Sequence, residues 1–160
     1  MLRSKFAYAF LLVSLLGFLD ASYLTIEHYR GVVPPCAIVS GCAAVTTSQY
    51  SLIFDIPVAL LGTLYYPIIL LSLITYLDTK QEIILKWVAR CTVLGLLASV
   101  YFVYLQTFVI KAWCLYCLGS ATTSTILFIL GIIVLKTKIP DSKSGTLLVE
   151  RRGIEPQKAE

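Results

Sequence analysis

The sequence predicts an all-α integral membrane protein, a four-transmembrane-helix bundle with a long external loop after the first helix. Three observations lead to this fold class: 58% of the 160 residues are hydrophobic, only 14% are charged, and four long runs are almost free of charge. A soluble domain carries roughly 25% charged residues. The composition therefore excludes a disordered chain and an ordinary water-soluble globule. The net charge of +4 is too modest and too scattered to indicate nucleic acid as a partner.

Each of the four runs is long enough to cross a lipid bilayer. The runs cover residues 6–29, 56–77, 91–110 and 112–135, and only the first contains Asp, Glu or His. About 20 apolar residues span a hydrocarbon core of roughly 30 Å. Lipid offers no partner for unpaired backbone groups, so each run is expected to be helical. The first run lacks the small-residue cleavage site of a signal peptide and is expected to remain as a helix.

The distribution of Lys and Arg predicts the orientation in the membrane. Eleven of the 13 basic residues lie before the first run, between the second and third, or after the fourth; only Arg30 and Lys111 lie on the other side. Basic residues mark the cytoplasmic side, so we expect both termini in the cytoplasm of a cell (inner) membrane protein. The loop of residues 30–55 is then external. We expect residues 1–140 to form the membrane domain and the polar residues 141–160 to form a disordered cytoplasmic tail.

Cys114 and Cys117 form a CxxC motif at the external end of the fourth run. Residues three apart on a helix lie close enough for a disulfide, and the helix dipole favours the thiolate in a first helical turn. The motif is therefore typical of a reversible redox pair. Zinc is an alternative, but a structural zinc site needs four ligands. A purely structural bridge is the other alternative, although it would close almost no loop.

Cys36 and Cys42 lie in the external loop, with five residues between them. An oxidising compartment favours a bridge there, and the pair taken alone is compatible with a structural disulfide. Two cysteine pairs on one side of the membrane suggest instead that thiol–disulfide exchange passes electrons between them. Cys91, at the cytoplasmic start of the third run, has no partner on its side. We interpret it as a small buried hydrophobic residue.

Asp20 is an ionisable residue deep in the first run. A charge at that depth costs free energy, so an ionisable residue there is a functional candidate by default. It lies ten residues before Arg30, about 15 Å deeper at the helical rise of 1.5 Å per residue. Two interpretations stay open: a proton relay and a neutral, hydrogen-bonded structural acid.

A non-enzymatic membrane protein is the alternative function at this point. A soft-metal carrier would use paired thiols at its mouth, but it would also need polar or thiol ligands along its path. Beyond the CxxC motif, the second and fourth runs hold hydroxyl groups but no thiol, thioether or imidazole ligand. No resident metal is therefore expected.

Four groups of residues together resemble a known family. They are the segment GFLDASYL at residues 17–24, the loop pair Cys36 and Cys42, the stretch of residues 48–57, and the CxxC motif. This arrangement resembles the short bacterial form of the vitamin K epoxide reductase family over roughly residues 6–135. The disulfide-bond protein B family also has four helices and two cysteine pairs, but its CxxC lies in the first external loop. Here the order is reversed.

The resemblance implies a thiol–quinone oxidoreductase that supports disulfide bond formation outside the cytoplasm. Electrons would pass from a thioredoxin-like partner to the loop pair, then to the CxxC motif, and then to menaquinone or ubiquinone. Cys36 would meet the partner, Cys42 would exchange with Cys114, and Cys117 would face the quinone and attack its ring. The chain ends about 25 residues after the fourth run, so the partner is expected to be a separate protein. Membrane lipid is the only other partner expected.

The resemblance also implies a quinone pocket. Its expected residues are Ser48, Tyr50, Phe54, Val58, Leu61, Tyr65 and Ala121. Ordinary packing of an amphipathic loop helix is the alternative for the first three. Animal members of the family place a hydrogen-bonding asparagine and a tyrosine where this chain has Val58 and Ala121. This difference counts against epoxide reduction more than against quinone reduction.

The predicted orientation can be tested with a membrane-impermeant maleimide. After mild reduction, Cys36 should be labelled from outside in intact cells, because the loop of residues 30–55 is external. Labelling of Cys36 only after the membrane is permeabilised would contradict the orientation and the redox argument that depends on it.

Overall fold

The computed structural model of the protein describes residues 2–36 and 41–136. The helices of this part are α1 (Leu2–Arg30), a short α2 (Cys42–Thr46), α3 (Val58–Thr79), α4 (Glu82–Tyr104) and α5 (Leu115–Lys136). Among the described residues, the four long helices are long and apolar enough to cross a membrane. The predicted all-α four-helix bundle is therefore confirmed. The tail expected at residues 141–160 lies outside the described residues.

The helices differ from the apolar runs at their ends, because backbone hydrogen bonds continue where charged side chains begin. Helix α4 begins at Glu82 rather than at residue 91, so Cys91 lies inside the helix and not at its start, where it was expected. At its other end α4 widens into a π-helical turn, Leu105–Ile110. A corner follows, with Lys111 in the left-handed region at φ 54°, and α5 begins only at Leu115.

The four long helices close into a ring. Helix α1 packs against α3 and α5, and α4 packs against the same two helices. Large side chains in the interior include Phe10, Ile69, Leu73 and Leu127. Gly131 permits a close approach of α5 to α4, because a Cβ there would lie 2.8 Å from Thr92 Oγ1.

The outer surface of the bundle is apolar. Leucines such as Leu12, Leu94 and Leu97 expose more than half of their surface, which water would disfavour and lipid accepts. Hydroxyl groups inside the helices bond back to their own backbone, as Ser14 does to the Phe10 carbonyl at 2.7 Å. These bonds leave few polar groups without a hydrogen-bond partner, which matters because the hydrocarbon core of a membrane supplies no partners.

The loop between α1 and α3 returns to the bundle through a short β-hairpin. Strands β1 (Leu52–Ile53) and β2 (Ile56–Pro57) pair antiparallel, with Leu52 opposite Pro57. The two residues of the turn, Phe54 and Asp55, have φ values of 51° and 61°, as a type I′ hairpin turn requires. The turn places Phe54 at the tip of the hairpin, where it is 95% exposed.

Candidate active site

The loop pair is joined and lies close to the bundle. A disulfide connects Cys36 and Cys42, whose Cα atoms are 6.1 Å apart. Cys42 is the first residue of α2 and is buried, whereas Cys36 is partly exposed. The bridge therefore has one sulfur that faces the interior and one that water or a partner protein can approach.

Cys114 lies at the N-cap of α5. Its carbonyl accepts the first hydrogen bond of the helix, from the Leu118 N–H at 3.0 Å. Its sulfur takes the usual role of an N-cap side chain, because the backbone N–H groups of Tyr116 and Cys117 point at it. We expected the helix N-terminus to act on a thiol of the CxxC motif. It acts on Cys114, the residue just before the helix.

The surroundings of Cys114 favour its thiolate. The thiol of Cys117 donates a hydrogen bond to the Cys114 sulfur and, together with the two backbone N–H groups, lowers the pKa of Cys114 to about 7. Desolvation by burial and the nearby Asp20 act in the opposite direction. Since an ordinary cysteine has a pKa of about 8.5, a far larger share of Cys114 is ionised at neutral pH than of an exposed cysteine.

All four predicted redox cysteines lie in one cluster. Cys42, Val45 and Cys114 form its buried centre, and Cys36 and Cys117 pack against that centre. Cys114 and Cys117 are free thiols, while the loop pair is bridged. Two pairs that lie far apart in the sequence are therefore brought within reach of each other.

Two contacts hold the loop against the start of α5. Gly41 lies on the backbone of Trp113, where a Cβ would be 2.6 Å from both the N and the O atom. Only glycine permits this approach. The hydroxyl of Tyr116, between the two cysteines of the motif, donates to the Pro35 carbonyl at 3.1 Å, and its ring lies 5.1 Å from that of Tyr23.

A cavity of about 750 Å³ lies between the α1–α3 loop and the helices. Cys117 lines it, whereas Cys114 does not. The wall is mainly apolar, with Leu24, Leu94 and Phe102 among its side chains. The size falls within the range of small-molecule sites, roughly 300–1,000 Å³. The two cysteines of the motif thus differ in their surroundings: both lie in the cluster with the loop pair, but only Cys117 also lines the cavity.

Six of the seven expected pocket residues line this cavity. They are Ser48, Tyr50, Val58, Leu61, Tyr65 and Ala121. Phe54, the seventh, lies at the exposed tip of the hairpin and not in the wall. The Tyr65 hydroxyl is buried without a hydrogen-bond partner.

Asp20 lies beside the cavity and not in its wall. The hydroxyl of Ser120 donates to Asp20 Oδ2 at 2.5 Å, and Ser120 itself lines the cavity, one helical turn after Cys117. The carboxyl group is therefore connected to the cavity through one hydroxyl.

Three residues of the site were not found by reasoning from the sequence. They are Gln106, whose Oε1 accepts from the Cys114 N–H at 2.8 Å, together with Tyr116 and Ser120. Gln106 carried a signal, because it is an amide within an otherwise apolar run. Tyr116 and Ser120 carried none, since their roles depend on contacts with residues about 80 to 100 positions away.

Comparison with known proteins agrees with this site. Residues 8–132 match the model of the Vitamin K epoxide reductase family. The chain belongs to this family. A comparison with curated proteins finds no match.

Membership of the vitamin K epoxide reductase family supports three general statements. The protein is a multi-pass membrane protein and an oxidoreductase. The family uses a quinone as substrate or electron acceptor, and it generally works with thioredoxin-like partners.

Among residues 2–36 and 41–136, no group of three or more His, Cys, Asp or Glu side chains could hold a metal ion.

Proposed function

We propose that the protein is a thiol–quinone oxidoreductase that supports disulfide bond formation outside the cytoplasm. It takes electrons from a separate thioredoxin-like protein through Cys36 and Cys42, passes them to Cys114 and Cys117, and reduces menaquinone or ubiquinone. Both termini lie in the cytoplasm and the redox site lies on the external side. One observation carries the proposal: Cys117 lines the cavity while Cys114 packs with Cys42.

The first step is exchange between the partner and the loop pair. A partner thiolate attacks the sulfur of Cys36, the more exposed half of the Cys36–Cys42 bridge, and Cys42 leaves as a thiolate. The second partner thiol then resolves the mixed disulfide. The partner becomes oxidised, and the loop pair becomes a dithiol with two electrons more than before.

The second step is exchange within the protein. The Cys42 thiolate attacks the Cys114 sulfur of an oxidised CxxC, and Cys117 leaves as a thiolate facing the cavity. Cys36 then attacks Cys42, re-forms the loop bridge and releases Cys114. A thiol of low pKa leaves faster, so the pKa of about 7 at Cys114 assists this release. The bridged loop pair and free CxxC thiols correspond to the state after this exchange.

The third step is reduction of a quinone bound in the cavity. Two electrons pass from the CxxC thiols to the quinone, which takes up two protons and leaves as quinol, and the Cys114–Cys117 bridge re-forms. The cavity volume and its apolar wall suit a quinone ring. Val58 and Ala121 offer it no hydrogen bond, but the unpartnered Tyr65 hydroxyl is available to a quinone oxygen.

Asp20 supplies a proton to the third step in this proposal. When Cys114 is a thiolate, the two thiols hold only one of the two protons that the quinol needs. In its protonated form the Asp20 carboxyl group donates to the Ser120 oxygen, the reverse of the bond that Ser120 makes to the carboxylate, and it gives the second proton there while the Ser120 hydroxyl passes its own proton to the quinone oxygen. The 2.5 Å hydrogen bond between the two groups supports this route, because such transfer needs hydrogen-bond reach.

Asp20→Asn tests the relay, since asparagine still accepts from Ser120 but carries no acidic proton. Positioned general acids contribute roughly a hundredfold or more, so the quinone-reduction step should slow by about that factor in single-turnover measurements. Exchange between the loop pair and the partner should be unchanged. Thr122→Val, at an exposed position of the same helix as Ser120, is the control. An unchanged quinone step in Asp20→Asn would leave the residue with a structural role.

Serine substitutions at the cysteines test the whole relay. Replacement of Cys36, Cys42, Cys114 or Cys117 should reduce quinone-dependent oxidation of a reduced thioredoxin-like protein to the uncatalysed rate. Cys91→Ser is the matched control and should keep its activity, because Cys91 lies inside α4, away from the cysteine cluster.

A small reductant separates the two pairs in the same assay. With dithiothreitol, which can reach the CxxC motif directly, the Cys36 and Cys42 variants should regain activity and the Cys114 and Cys117 variants should not. If the loop variants oxidise the protein substrate as well as the unaltered protein does, the loop bridge is structural and the relay is wrong.

A further inference from the structure

Gln106 is a buried amide that the relay described above does not use. It is 2% exposed and lies in the π-helical turn at the external end of α4. Its side-chain Oε1 accepts a hydrogen bond from the backbone N–H of Cys114 at 2.8 Å. The backbone carbonyl of Gln106 accepts a second hydrogen bond, from the Ala112 N–H at 3.1 Å. One residue therefore holds the corner between α4 and α5 at two points.

The N–H of Cys114 needs this acceptor because Cys114 is an N-cap residue. In a capping box, a Glu or Gln at the third helical position reaches back to the N-cap N–H. In α5 the third helical position is Cys117, whose thiol already donates to the Cys114 sulfur and which must be kept for redox chemistry. Gln106 supplies the missing acceptor from another helix.

The bond also fixes the direction of the Cys114 side chain. With its N–H held by Gln106 and its carbonyl held by Leu118, the backbone of Cys114 is fixed on both sides of Cα. Its sulfur then remains at the N-terminus of α5 and in the cluster with Cys42. Without Gln106 the buried N–H would lose its partner, and rotation of the backbone to find another would move the sulfur.

We propose that Gln106 is a positioning residue that holds the Cys114 sulfur in line for exchange with Cys42. The proposal rests on the electron relay proposed above, because it assigns Gln106 to the exchange step of that relay. A π-helical turn is rare and frequently lies at a functional site. Here it brings the Gln106 side chain to the residue that precedes α5.

The exchange step can be measured without quinone and without a partner. In a Cys91→Ser, Cys117→Ser background, the Cys114 thiolate attacks Cys42 of the loop bridge, forms a Cys42–Cys114 disulfide and releases Cys36 as a thiol. Alkylation of the released Cys36 prevents the reverse reaction. Because Cys114 is also a free thiol before the exchange, the rate is read from protein alkylated at Cys36 and bridged between Cys42 and Cys114, which peptide mapping separates from protein alkylated at Cys114. No external oxidant is needed, since one disulfide is exchanged for another.

Gln106→Leu removes the acceptor and Gln106→Glu keeps it. At alkaline pH, where Cys114 is fully ionised, we expect Gln106→Leu to exchange at least about tenfold more slowly, a factor equal to about 1.4 kcal/mol and within the cost of an unpaired buried N–H. Gln106→Glu should be slow at neutral pH, where the new carboxylate opposes the Cys114 thiolate, and should recover at alkaline pH, where Cys114 ionises despite it. Thr107→Val, which removes a hydroxyl bond in the same turn, should match the unaltered protein throughout.

Equal exchange rates in Gln106→Leu and the unaltered protein at alkaline pH would overturn the proposal. If Gln106→Leu does not fold, Gln106→Asn, whose carbonyl is shorter by one methylene, should show the same slow exchange, and a normal rate there would overturn it equally. Because the assay contains no quinone, a Gln106 effect in a protein that fails to reduce quinone would reject the proposed function alone. Quinone reduction with no Gln106 effect would reject the positioning role alone.

Discussion

The N-terminus of α5 is the constraint on which the rest of the site depends. Its first N–H groups need an acceptor, and the sulfur of Cys114 supplies one. This places Cys114 just outside the helix, beside Cys42, while Cys117 lies within the first turn at the cavity wall. One capping interaction therefore places the two cysteines of the same motif in different surroundings, as the proposed relay requires.

The membrane adds a second constraint, because polar groups inside the bundle must find partners within the protein. Asp20 bonds to Ser120, and the Cys114 N–H bonds to Gln106. These bonds cross between helices and fix the side chains around the cavity. The buried hydroxyl of Tyr65 has no such partner, and this open hydrogen-bonding group lies in the wall where the proposed substrate binds.

The sequence allowed the fold and the cysteine pairs to be predicted, because both are local signals. Four apolar runs define four spanning helices. The CxxC motif is a weak signal alone, but a cysteine pair after the first run together with a CxxC motif at the fourth run indicates redox chemistry. The helix ends were less predictable. Glu82 begins α4 well before the apolar run, since a helical backbone continues through charged residues at the edge of the membrane.

Contacts between distant residues could not be predicted in the same way. Nothing near Gln106 in the sequence shows that it accepts from Cys114, and nothing near Ser120 shows that it meets Asp20. Phe54 was expected in the pocket from the family resemblance. The left-handed backbone of the hairpin turn places it at the tip instead, a result of local turn geometry that the spacing of residues does not reveal.

The most direct test of the account is the absorbance of bound quinone in two variants. In Cys114→Ser, Cys117 has lost its bridge and can ionise beside the cavity, so its thiolate should form a charge-transfer complex with quinone and produce a new long-wavelength band. Cys117→Ser should show no such band. A band in Cys117→Ser and none in Cys114→Ser would contradict the account, because it would place Cys114 at the quinone and Cys117 with the loop.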